Sequence, residues 1–251
     1  MKIPQKVADE YKRTLRVPVY EVGRGNRLKL GSILRLVQET SEQHLRVLHI
    51  SYEELRGKGN LVFFIISTRI KIRRLPMHAE LVTLKTHPRG RCGVQFYRDY
   101  EFYDEHGSVL IQVMQTTVLA DAETHKLQRP QALKPFWDYP DLEIPKEERM
   151  DRFRVPGDLP RIATRAVFRS DMDANGHMNN CIYGDVVADC LPKDVIRSAG
   201  TVQINYLLET EEGESLTVYG GPDRGQFLLR GENPRGVSFT ASVQAKSDPM
   251  E

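Results

Sequence analysis

The sequence predicts an α+β protein made of two similar units in tandem. Each half of the 251-residue chain contains a predicted strand, a helix with one apolar stripe, and then several strands joined by short turns. Strands joined in this way pair antiparallel, and a curved antiparallel sheet needs one apolar face covered, which a long amphipathic helix can do. We therefore predict two antiparallel sheets, each wrapped around a long central helix and pairing into one continuous sheet, which removes two exposed edges.

In the first half, a short strand is predicted at residues 17–22, before a turn at residues 24–27. A long helix follows, and we expect it to end before the glycine-rich break at residues 57–60. Its apolar stripe comprises Leu30, Ile33, Leu34 and Val37. The strands expected next lie at residues 61–75, 80–87, 93–103 and 108–120, separated by turn sequences at 75–76, 88–90 and 104–107.

The second half repeats this pattern after a proline-rich segment. Prolines scattered among charges indicate a linker at residues 126–160, and its apolar residues, among them the only tryptophan, Trp137, predict that it packs on the surface. A strand is predicted at residues 164–168. The stripe of the second helix comprises Met178, Ile182, Val186 and Cys190. The later strands are expected at residues 201–208, 215–220, 226–231 and 237–246, with turn sequences at 213, 221–223 and 233–236.

A curved sheet around one long helix is the layout of the hotdog fold, so the chain is predicted to be a tandem double hotdog. The predicted divisions are a first hotdog at residues 1–125, the linker at residues 126–160 and a second hotdog at residues 161–251.

Composition narrows the classes of function. An apolar content of 40% suffices for a globular core, and a net charge of +2 leaves no nucleic-acid signature. No apolar run approaches the roughly 20 residues of a membrane span, and the amino terminus has no apolar targeting segment, so we expect a cytoplasmic protein without a membrane partner. Cys92, Cys181 and Cys190 have no paired spacing, which indicates buried apolar residues; no disulfide, metal or cofactor is predicted.

The densest polar run, at residues 170–183, leads directly into the second helix. Asp173, Asn175 and His177 alternate, so in an extended segment they project to the same side. Each of them alone is also an ordinary turn, capping or structural residue. Because a carboxylate, an amide and an imidazole occur together, we favour a site over a simple cap.

The start of the second helix adds to this prediction. Gly176 allows a sharp turn, after which Asn179 or Asn180 opens the helix. Free backbone N–H groups at a helix N-terminus favour negative charge that develops on a carbonyl oxygen. The run is therefore typical of an acyl-transfer or hydration site. The matching stretch of the first half, residues 25–31, has neither Asp nor His.

The run at residues 171–180, with Tyr183, resembles a segment of the acyl-ACP thioesterases of plants and bacteria, which are double hotdog enzymes. The likeness continues over most of the chain, at residues 27–48, 51–55, 63–74, 88–90, 102–104 and 205–209. The chain is identified as a bacterial member, similar to the plant fatty acyl-ACP thioesterases. The resemblance implies hydrolysis of fatty acyl-ACP thioesters to free fatty acid and holo-ACP in fatty acid biosynthesis, with an acyl carrier protein bearing a fatty acyl phosphopantetheine as partner.

Carried over by position, the resemblance places catalytic residues at Asp173, Asn175 and His177 and adds a further carboxylate, Glu209. We expect Asp173 and Glu209 to share the roles of general base and nucleophile, with Asn175 orienting and His177 donating a hydrogen bond or a proton. The N–H groups near Asn179 and Asn180 are expected to bind the thioester carbonyl. The first hotdog is expected to shape the substrate pocket without contributing catalytic residues.

One position departs from the plant pattern. Thr210 stands where plant members often have a cysteine, so a cysteine-protease-like mechanism is not expected here. Cys181, on the helix stripe, does not replace it.

An acidic carrier protein favours a basic docking face. The candidate cations for that face are Arg69, Lys71, Arg73, Arg74, Arg89 and Arg91.

Other functions share parts of this pattern. Single-hotdog acyl-CoA thioesterases have a similar Asp-x-x-Gly-His-x-Asn-Asn run, which leaves the carrier open between ACP and CoA. Enoyl thioester hydratases use a related element in which proline replaces Gly176 and the histidine spacing differs. A hotdog sensor that binds acyl thioesters without hydrolysis is a third alternative. The acyl chain length and the choice between monomer and homodimer stay open.

Overall fold

A computed structural model describes residues 10–140, 142–150 and 152–246. This described part contains ten strands and four α-helices. The first repeat contains β1 (Tyr11–Arg16), α1 (Leu30–Val47), α2 (Tyr52–Gly59), β2 (Leu61–Ile72), β3 (Leu81–Cys92), β4 (Gln95–Tyr103) and β5 (Val109–Asp121). The second repeat contains β6 (Arg161–Ala166), α3 (Asn180–Cys190), α4 (Lys193–Ser198), β7 (Ala199–Tyr206), β8 (Ser215–Asp223), β9 (Gln226–Asn233) and β10 (Gly236–Ala245).

All ten strands form one antiparallel sheet in the order β1-β3-β4-β5-β2-β7-β10-β9-β8-β6. The order of the second five strands mirrors that of the first five. The two halves join where β2 pairs with β7, with Ser67 opposite Asn205 and Lys71 opposite Thr201. At this seam the Ser67 hydroxyl donates to Asn205 Oδ1 over 2.8 Å. The predicted double hotdog with one continuous sheet is confirmed.

The amino-terminal parts of the two repeats match element by element. The edge strands β1 and β6 begin at residues 11 and 161, and short 3₁₀ turns follow at Val19–Glu21 and Arg169–Asp171. An isolated bridge comes next in each repeat, between Val22 and Leu28 and between Met172 and Met178. The polar run and its first-half counterpart are therefore the same structural turn with different side chains.

The two long helices pack against the sheet and against each other. The expected stripe of α1 is buried, and its residues share one apolar core with those of α3 and both half-sheets. Helix α3 crosses α1 closely because Gly184 faces Gly31: a Cβ on Gly184 would lie 3.0 Å from Gly31 Cα. The Arg35 guanidinium on α1 also pairs with the Asp185 carboxylate on α3. This contact fixes the position of the start of α3 relative to the first repeat.

The expected first strands of both repeats are wrong in position. Residues 17–22 contain a 3₁₀ turn that begins after Pro18, and the strand lies earlier, at β1. The expected strand at residues 164–168 coincides only with the end of β6. Both are edge strands whose residues alternate or are mostly exposed, so they carry polar sequences that lack a strand signal.

The first helical region is two helices rather than one. Helix α1 ends at Val47, and His49 takes a left-handed conformation with φ 58°. Ser51 then starts α2 with a capping box, in which its hydroxyl accepts from the Glu54 N–H and its own N–H donates to the Glu54 carboxylate. Helix α2 continues through Gly57 to Gly59, so the expected end before residue 57 is wrong.

Two of the expected turns lie inside strands. Strand β3 passes through Pro88 with a register shift before Gly90, where a Cβ would lie 2.3 Å from the Leu142 carbonyl oxygen. Strand β8 likewise continues to Asp223, through the expected turn at residues 221–223. Proline is tolerated in β3 because of this irregularity, and in β8 because Pro222 lies beyond the residues that pair with β6, where one side of the strand needs no ladder N–H.

The proline-rich segment lies along the sheet of the first repeat. It contains 3₁₀ turns at Pro130–Leu133 and Lys146–Glu148. Leu133 is buried, and the Trp137 and Tyr139 rings pack with Phe96 of β4 in a second apolar cluster. Trp137 and Tyr139 form part of the wall of the cavity described below.

Candidate active site

The polar run folds as a tight turn directly before α3. The Asp173 N–H donates to the His177 carbonyl over 2.8 Å, and the Gly176 N–H donates to the Asp173 carbonyl over 3.1 Å. Gly176 has φ +81°, a left-handed conformation that glycine adopts without strain. The segment is not extended, so the expected projection of Asp173, Asn175 and His177 to one side by simple alternation is wrong.

The Asp173 carboxylate brings two of the predicted site residues together. Its Oδ1 accepts the backbone N–H of Asn175 over 2.8 Å and that of His177 over 3.3 Å. The Asn175 side-chain Nδ2 lies 3.5 Å from Asp173 Oδ2. The turn therefore holds the carboxylate and the amide side by side.

Asn175 also contacts the first repeat. The Tyr52 hydroxyl, in the first turn of α2, donates to Asn175 Oδ1. Arg56, one helical turn further on, donates from Nη1 to the same Tyr52 oxygen over 2.7 Å. The amide thus lies at the end of a hydrogen-bond chain that starts in the other half of the molecule.

The third residue of the run points to a different partner. His177 Nε2 lies 3.2 Å from Glu209 Oε2, and the two side chains are 20% and 39% exposed. His125, which follows β5, approaches the other carboxylate oxygen, with Nδ1 3.8 Å from Glu209 Oε1. The rings of His125 and His177 are in edge contact with centroids 5.8 Å apart. The Glu209 carboxylate therefore lies between two imidazoles.

The start of α3 offers one backbone donor rather than two. The Asn179 N–H already donates to the Asp171 carbonyl over 2.8 Å, and the Asn179 side chain caps the helix by accepting the Cys181 N–H over 2.9 Å. The Asn180 N–H makes no hydrogen bond to the other described residues. Of the two predicted asparagines, Asn180 therefore keeps the free donor, and Asn179 acts as the cap.

A cavity of about 410 Å³ lies beneath α1 and reaches the polar turn. Its wall includes residues of α1, α2, β2, β4, β5 and the segment after β5. At the turn it is lined by Asp173, Ala174, Asn175, Asn179 and Asn180, and at β4 and the later segment by Arg98, Tyr100, Trp137 and Tyr139. Because β5 separates β4 from β2 in the sheet, the strand residues of the cavity wall lie on strands up to about 10 Å apart. Neither His177 nor Glu209 belongs to the cavity wall.

Thr210 is the centre of a buried hydroxyl cluster. It is fully buried, and its Oγ1 lies 3.2 Å from the Tyr183 hydroxyl, 2.8 Å from Ser238 Oγ and 3.3 Å from Asn233 Nδ2. Asn233 Nδ2 also donates to the Glu209 carbonyl over 2.9 Å. The cluster therefore holds the backbone that carries Glu209.

The thiol nearest the turn is not a nucleophile. Cys181 is buried on α3, and its Sγ donates to Gln38 Oε1 over 2.9 Å. Burial raises the pKa of the Cys181 thiol to about 12, so it stays protonated at neutral pH. In the described part of the chain, Cys190 is also buried and Cys92 is half-buried, which differs from the expectation that all three are buried.

No group of three or more His, Cys, Asp or Glu side chains in the described ranges could hold a metal ion. None of the helices described in this structure has both the length and the apolar character that a membrane crossing needs.

Two neighbours of the site were not found from the sequence. Tyr52 lies in the segment 51–55 that carries the resemblance, but nothing there indicated a contact with Asn175. His125 lies in the turn that follows β5, and no sequence pattern indicated a role for it. Both contacts join distant parts of the chain, so no local pattern encodes them.

The continuous sheet and the paired helices define a double hotdog protein, and a polar turn lies before α3 in its second repeat. Family models match both halves: the acyl-ACP thioesterase N-terminal domain over residues 8–132 and the acyl-ACP thioesterase C-terminal domain over residues 161–237. The chain belongs to the acyl-ACP thioesterase family.

Curated relatives agree with this assignment. Oleoyl-acyl carrier protein thioesterase 2, chloroplastic, of Arabidopsis thaliana is 25% identical over 253 residues, which cover 89% of this chain and 66% of that protein. The chloroplastic oleoyl-acyl carrier protein thioesterase of Coriandrum sativum is 24% identical over 266 residues, covering 96% of this chain and 70% of that protein. The chain thus spans about two thirds of the length of these relatives.

Solved structures share the whole fold. An acyl-ACP thioesterase from Bacteroides thetaiotaomicron superposes with a TM-score of 0.83 at 17% identity and covers 94% of this chain and 98% of that one. The 12:0-ACP thioesterase from Umbellularia californica superposes with a TM-score of 0.81, also at 17% identity, and covers 94% and 97% of the two chains. Both have the double hotdog architecture.

Proposed function

We propose that the protein hydrolyses fatty acyl-ACP thioesters to the free fatty acid and holo-ACP, within fatty acid biosynthesis. The observation that carries this proposal is the cavity that ends at Asp173, Asn175 and the N-terminus of α3. A pocket of this volume, lined in part by a carboxylate, an amide and the start of a helix, suits an acyl chain whose carbonyl lies beside those groups. Membership of the acyl-ACP thioesterase family supports the carrier.

In this reaction a water oxygen bonds to the thioester carbon, the C–S bond breaks, and the departing thiolate takes a proton. We assign the activation of water to Asp173, because its carboxylate lines the cavity. Asn175 orients the reacting groups, and the Asn180 N–H faces the carbonyl oxygen as negative charge develops. All three residues line the cavity in which the acyl group would bind.

We assign His177 and Glu209 to the thiol side of the scissile bond. They form a pair 3.2 Å apart and lie outside the cavity wall, where the phosphopantetheine arm would approach from solvent. A proton held between an imidazole and a carboxylate can be passed to a thiolate that leaves on this side. Replacing either residue should therefore lower kcat.

We further propose a division of labour between the repeats. The first, residues 1–125, shapes most of the acyl pocket, and the second, residues 161–251, carries the reacting residues, with residues 126–160 as the connection. Most of the residues that line the cavity belong to α1, α2, β2, β4 and β5, which supports this division.

The docking face that we propose for the acidic carrier protein contains fewer cations than the six expected from the sequence. Arg74 pairs with Glu80 at 2.6 Å, and Arg89 pairs with Asp99 at 3.2 Å. Arg69 donates to Gln203 over 3.2 Å. The two exposed members of the set are Lys71 and Arg73. We propose that these two attract the carrier, so KM for acyl-ACP should rise with salt.

We propose that the protein is located in the cytoplasm, and cell fractionation tests this location. A homodimer would use the sheet edges β1 and β6, and light scattering on the purified protein tests that assembly.

The deciding experiment measures free thiol released from matched acyl-ACP and acyl-CoA substrates. We expect release from acyl-ACP with a higher kcat/KM than from acyl-CoA, and a fall in kcat of about 100-fold or more for Asp173→Ala. Asp158→Ala, at an exposed site, is the matched control, and circular dichroism checks that both variants fold.

Each alternative function predicts a different result. Equal or better turnover of acyl-CoA identifies an acyl-CoA thioesterase. Hydration of an enoyl thioester without thiol release identifies a hydratase, and binding without any turnover identifies a sensor. Near-normal turnover in both Asp173→Ala and His177→Ala contradicts the assigned residues.

A further inference from the structure

We propose that the first repeat completes the active site by supplying two positioning residues, Tyr52 for Asn175 and His125 for Glu209. The inference rests on the proposed hydrolase function. It extends the role of the first repeat from shaping the pocket to orienting two of the polar side chains that the second repeat contributes. Two independent contacts across the repeats carry it.

The Tyr52 contact has a defined direction. A guanidinium can only donate hydrogen bonds, so the bond from Arg56 Nη1 to Tyr52 Oη, 2.7 Å long, makes the tyrosine oxygen the acceptor. The tyrosine proton is then directed to its other neighbour, Asn175 Oδ1. Arg56 therefore fixes which way the hydroxyl of Tyr52 donates.

This direction determines the orientation of the Asn175 amide. Its oxygen is occupied by Tyr52, so its NH₂ group faces Asp173 Oδ2 at 3.5 Å, beside the cavity. A flipped amide would place its oxygen against a carboxylate, which is repulsive. Tyr52 thus presents Asn175 as a donor to the carboxylate and to the carbonyl of a bound acyl group.

Helix α2 holds Tyr52 in place for this role. The capping box of Ser51 and Glu54 starts the helix at Tyr52, and Asn60 ends it in a left-handed conformation with φ 51°. Arg56 also lies over the Tyr52 ring, 5.9 Å from its centroid. A short helix with both ends fixed is a rigid support for a positioning side chain.

His125 is fixed on the other side of the site. Its backbone N–H donates to the Asp121 carbonyl over 3.0 Å, in a turn where His125 has φ 55°. Its ring is in edge contact with Phe64, a residue of the cavity wall, at 5.3 Å. The turn and Phe64 therefore direct the His125 ring at Glu209.

The surroundings of Glu209 make the second imidazole significant. His177 faces Oε2 and His125 faces Oε1, while Arg235 donates to the Glu209 backbone carbonyl over 2.7 Å. Arg235 itself pairs with Glu211 at 2.8 Å and with Glu214 at 2.9 Å. His125 therefore faces the carboxylate oxygen of Glu209 that His177 does not contact, and the two rings hold this carboxylate from both sides.

The first test is Tyr52→Phe, which removes one hydroxyl. We expect kcat for acyl-ACP to fall about 2- to 12-fold, the worth of one neutral hydrogen bond, with KM nearly unchanged. Tyr20→Phe is the matched control, because Tyr20 is 73% exposed. Arg56→Lys, which keeps a cationic donor, should retain more kcat than Arg56→Met. A Tyr52→Phe variant with the kcat of the wild type overturns this half of the inference.

The second test compares His125→Gln with His125→Arg and with His106→Gln, whose histidine is 80% exposed. Glutamine lacks the ring that Phe64 directs at Glu209 Oε1, so kcat for acyl-ACP should fall by about twofold or more in His125→Gln, with KM nearly unchanged. His125→Arg, which keeps a donor long enough to reach Oε1, should retain more of kcat than His125→Gln, and His106→Gln should keep the wild-type kcat. A wild-type kcat in His125→Gln overturns this half.

A further measurement separates this inference from the proposed function. If the wild type releases no thiol from any acyl-ACP, the proposed function is wrong. The contacts are then tested by NMR: the Asn175 NH₂ signals should shift in Tyr52→Phe and the His177 ring signals in His125→Gln, relative to the two control variants. Unshifted signals overturn the inference whatever the activity.

Discussion

The crossing of the two long helices leads to a sharp stability prediction at Gly184. A Cβ added there would lie 2.8 Å from Leu34 Cδ1 and 3.0 and 3.1 Å from backbone atoms of Gly31. The leucine side chain can rotate, but the backbone of α1 cannot move without disturbing the core shared by both repeats. Overpacking of this kind costs about 1–3 kcal/mol of the free energy of unfolding. The backbone entropy that alanine saves within a helix offsets about 0.5–1 kcal/mol of this cost, which leaves a net loss of about 0.5–2 kcal/mol. Gly184→Ala should therefore lower Tm by about 1–8 °C, at about 2–4 °C per kcal/mol for a chain of this size.

Thermal unfolding followed by circular dichroism measures this effect, and Gly57→Ala is the control. Gly57 lies within α2, and nothing lies within 4 Å of a Cβ built there. Alanine should stabilise that helix by about 0.5–1 kcal/mol, because glycine loses more backbone entropy on folding. Since Gly184 lies in the helix that begins at Asn180, its variant should also have a lower kcat in the proposed thioester hydrolysis. A Gly184→Ala protein as stable as the wild type would refute the close crossing of α1 and α3.

Three further predictions follow from other parts of the structure. Thr210→Val should lower the free energy of unfolding by about 1–3 kcal/mol in urea titrations, because the buried hydroxyl cluster around Tyr183 loses its central partner, whereas Thr210→Ser should not. Trp137→Ala should enlarge the cavity and raise kcat/KM for a longer acyl-ACP relative to a shorter one by about tenfold; an unchanged ranking contradicts the role of Trp137 in limiting the acyl chain. The Arg74 guanidinium holds the pKa of Glu80 below its usual 4.5, so this carboxylate stabilises the fold at neutral pH and loses that effect as pH falls below about 4.5. Glu80→Gln should therefore lower Tm more at about pH 7 than at about pH 3, since the contribution is lost as pH falls through the lowered pKa of Glu80.

Much of the fold is encoded in local patterns. The stripe from Leu30 to Val37 predicts α1, and the stripe through Ile182 and Val186 predicts α3, because one apolar face recurs every three to four residues. The turn signals were less reliable. Proline and glycine at residues 88–90 and 221–223 indicated strand ends, but β3 accommodates the first pair in a bulge and β8 continues through the second. Such irregularities depend on neighbouring strands, which a local pattern does not include.

The predicted site divides in a similar way. Gly176 and the cap at Asn179 follow from turn and capping chemistry within a few residues, and the structure has both. The side-chain directions do not follow from spacing. Asp173 and Asn175 reach the cavity, whereas His177 turns to Glu209, because the run is a closed turn rather than a strand.

The sequence by itself determined the two repeats, their central helices and the polar turn that only the second repeat carries, since periodicity, glycine and capping residues act over a few positions. Only the tertiary structure decided what surrounds that turn. Tyr52 meets Asn175 from 123 positions away, and His125 meets Glu209 from the end of β5. These contacts exist because β2 pairs with β7 and α1 crosses α3, which brings the first repeat against the start of α3. A long-range contact of this kind depends on the whole packed core, so no short stretch of the chain specifies it.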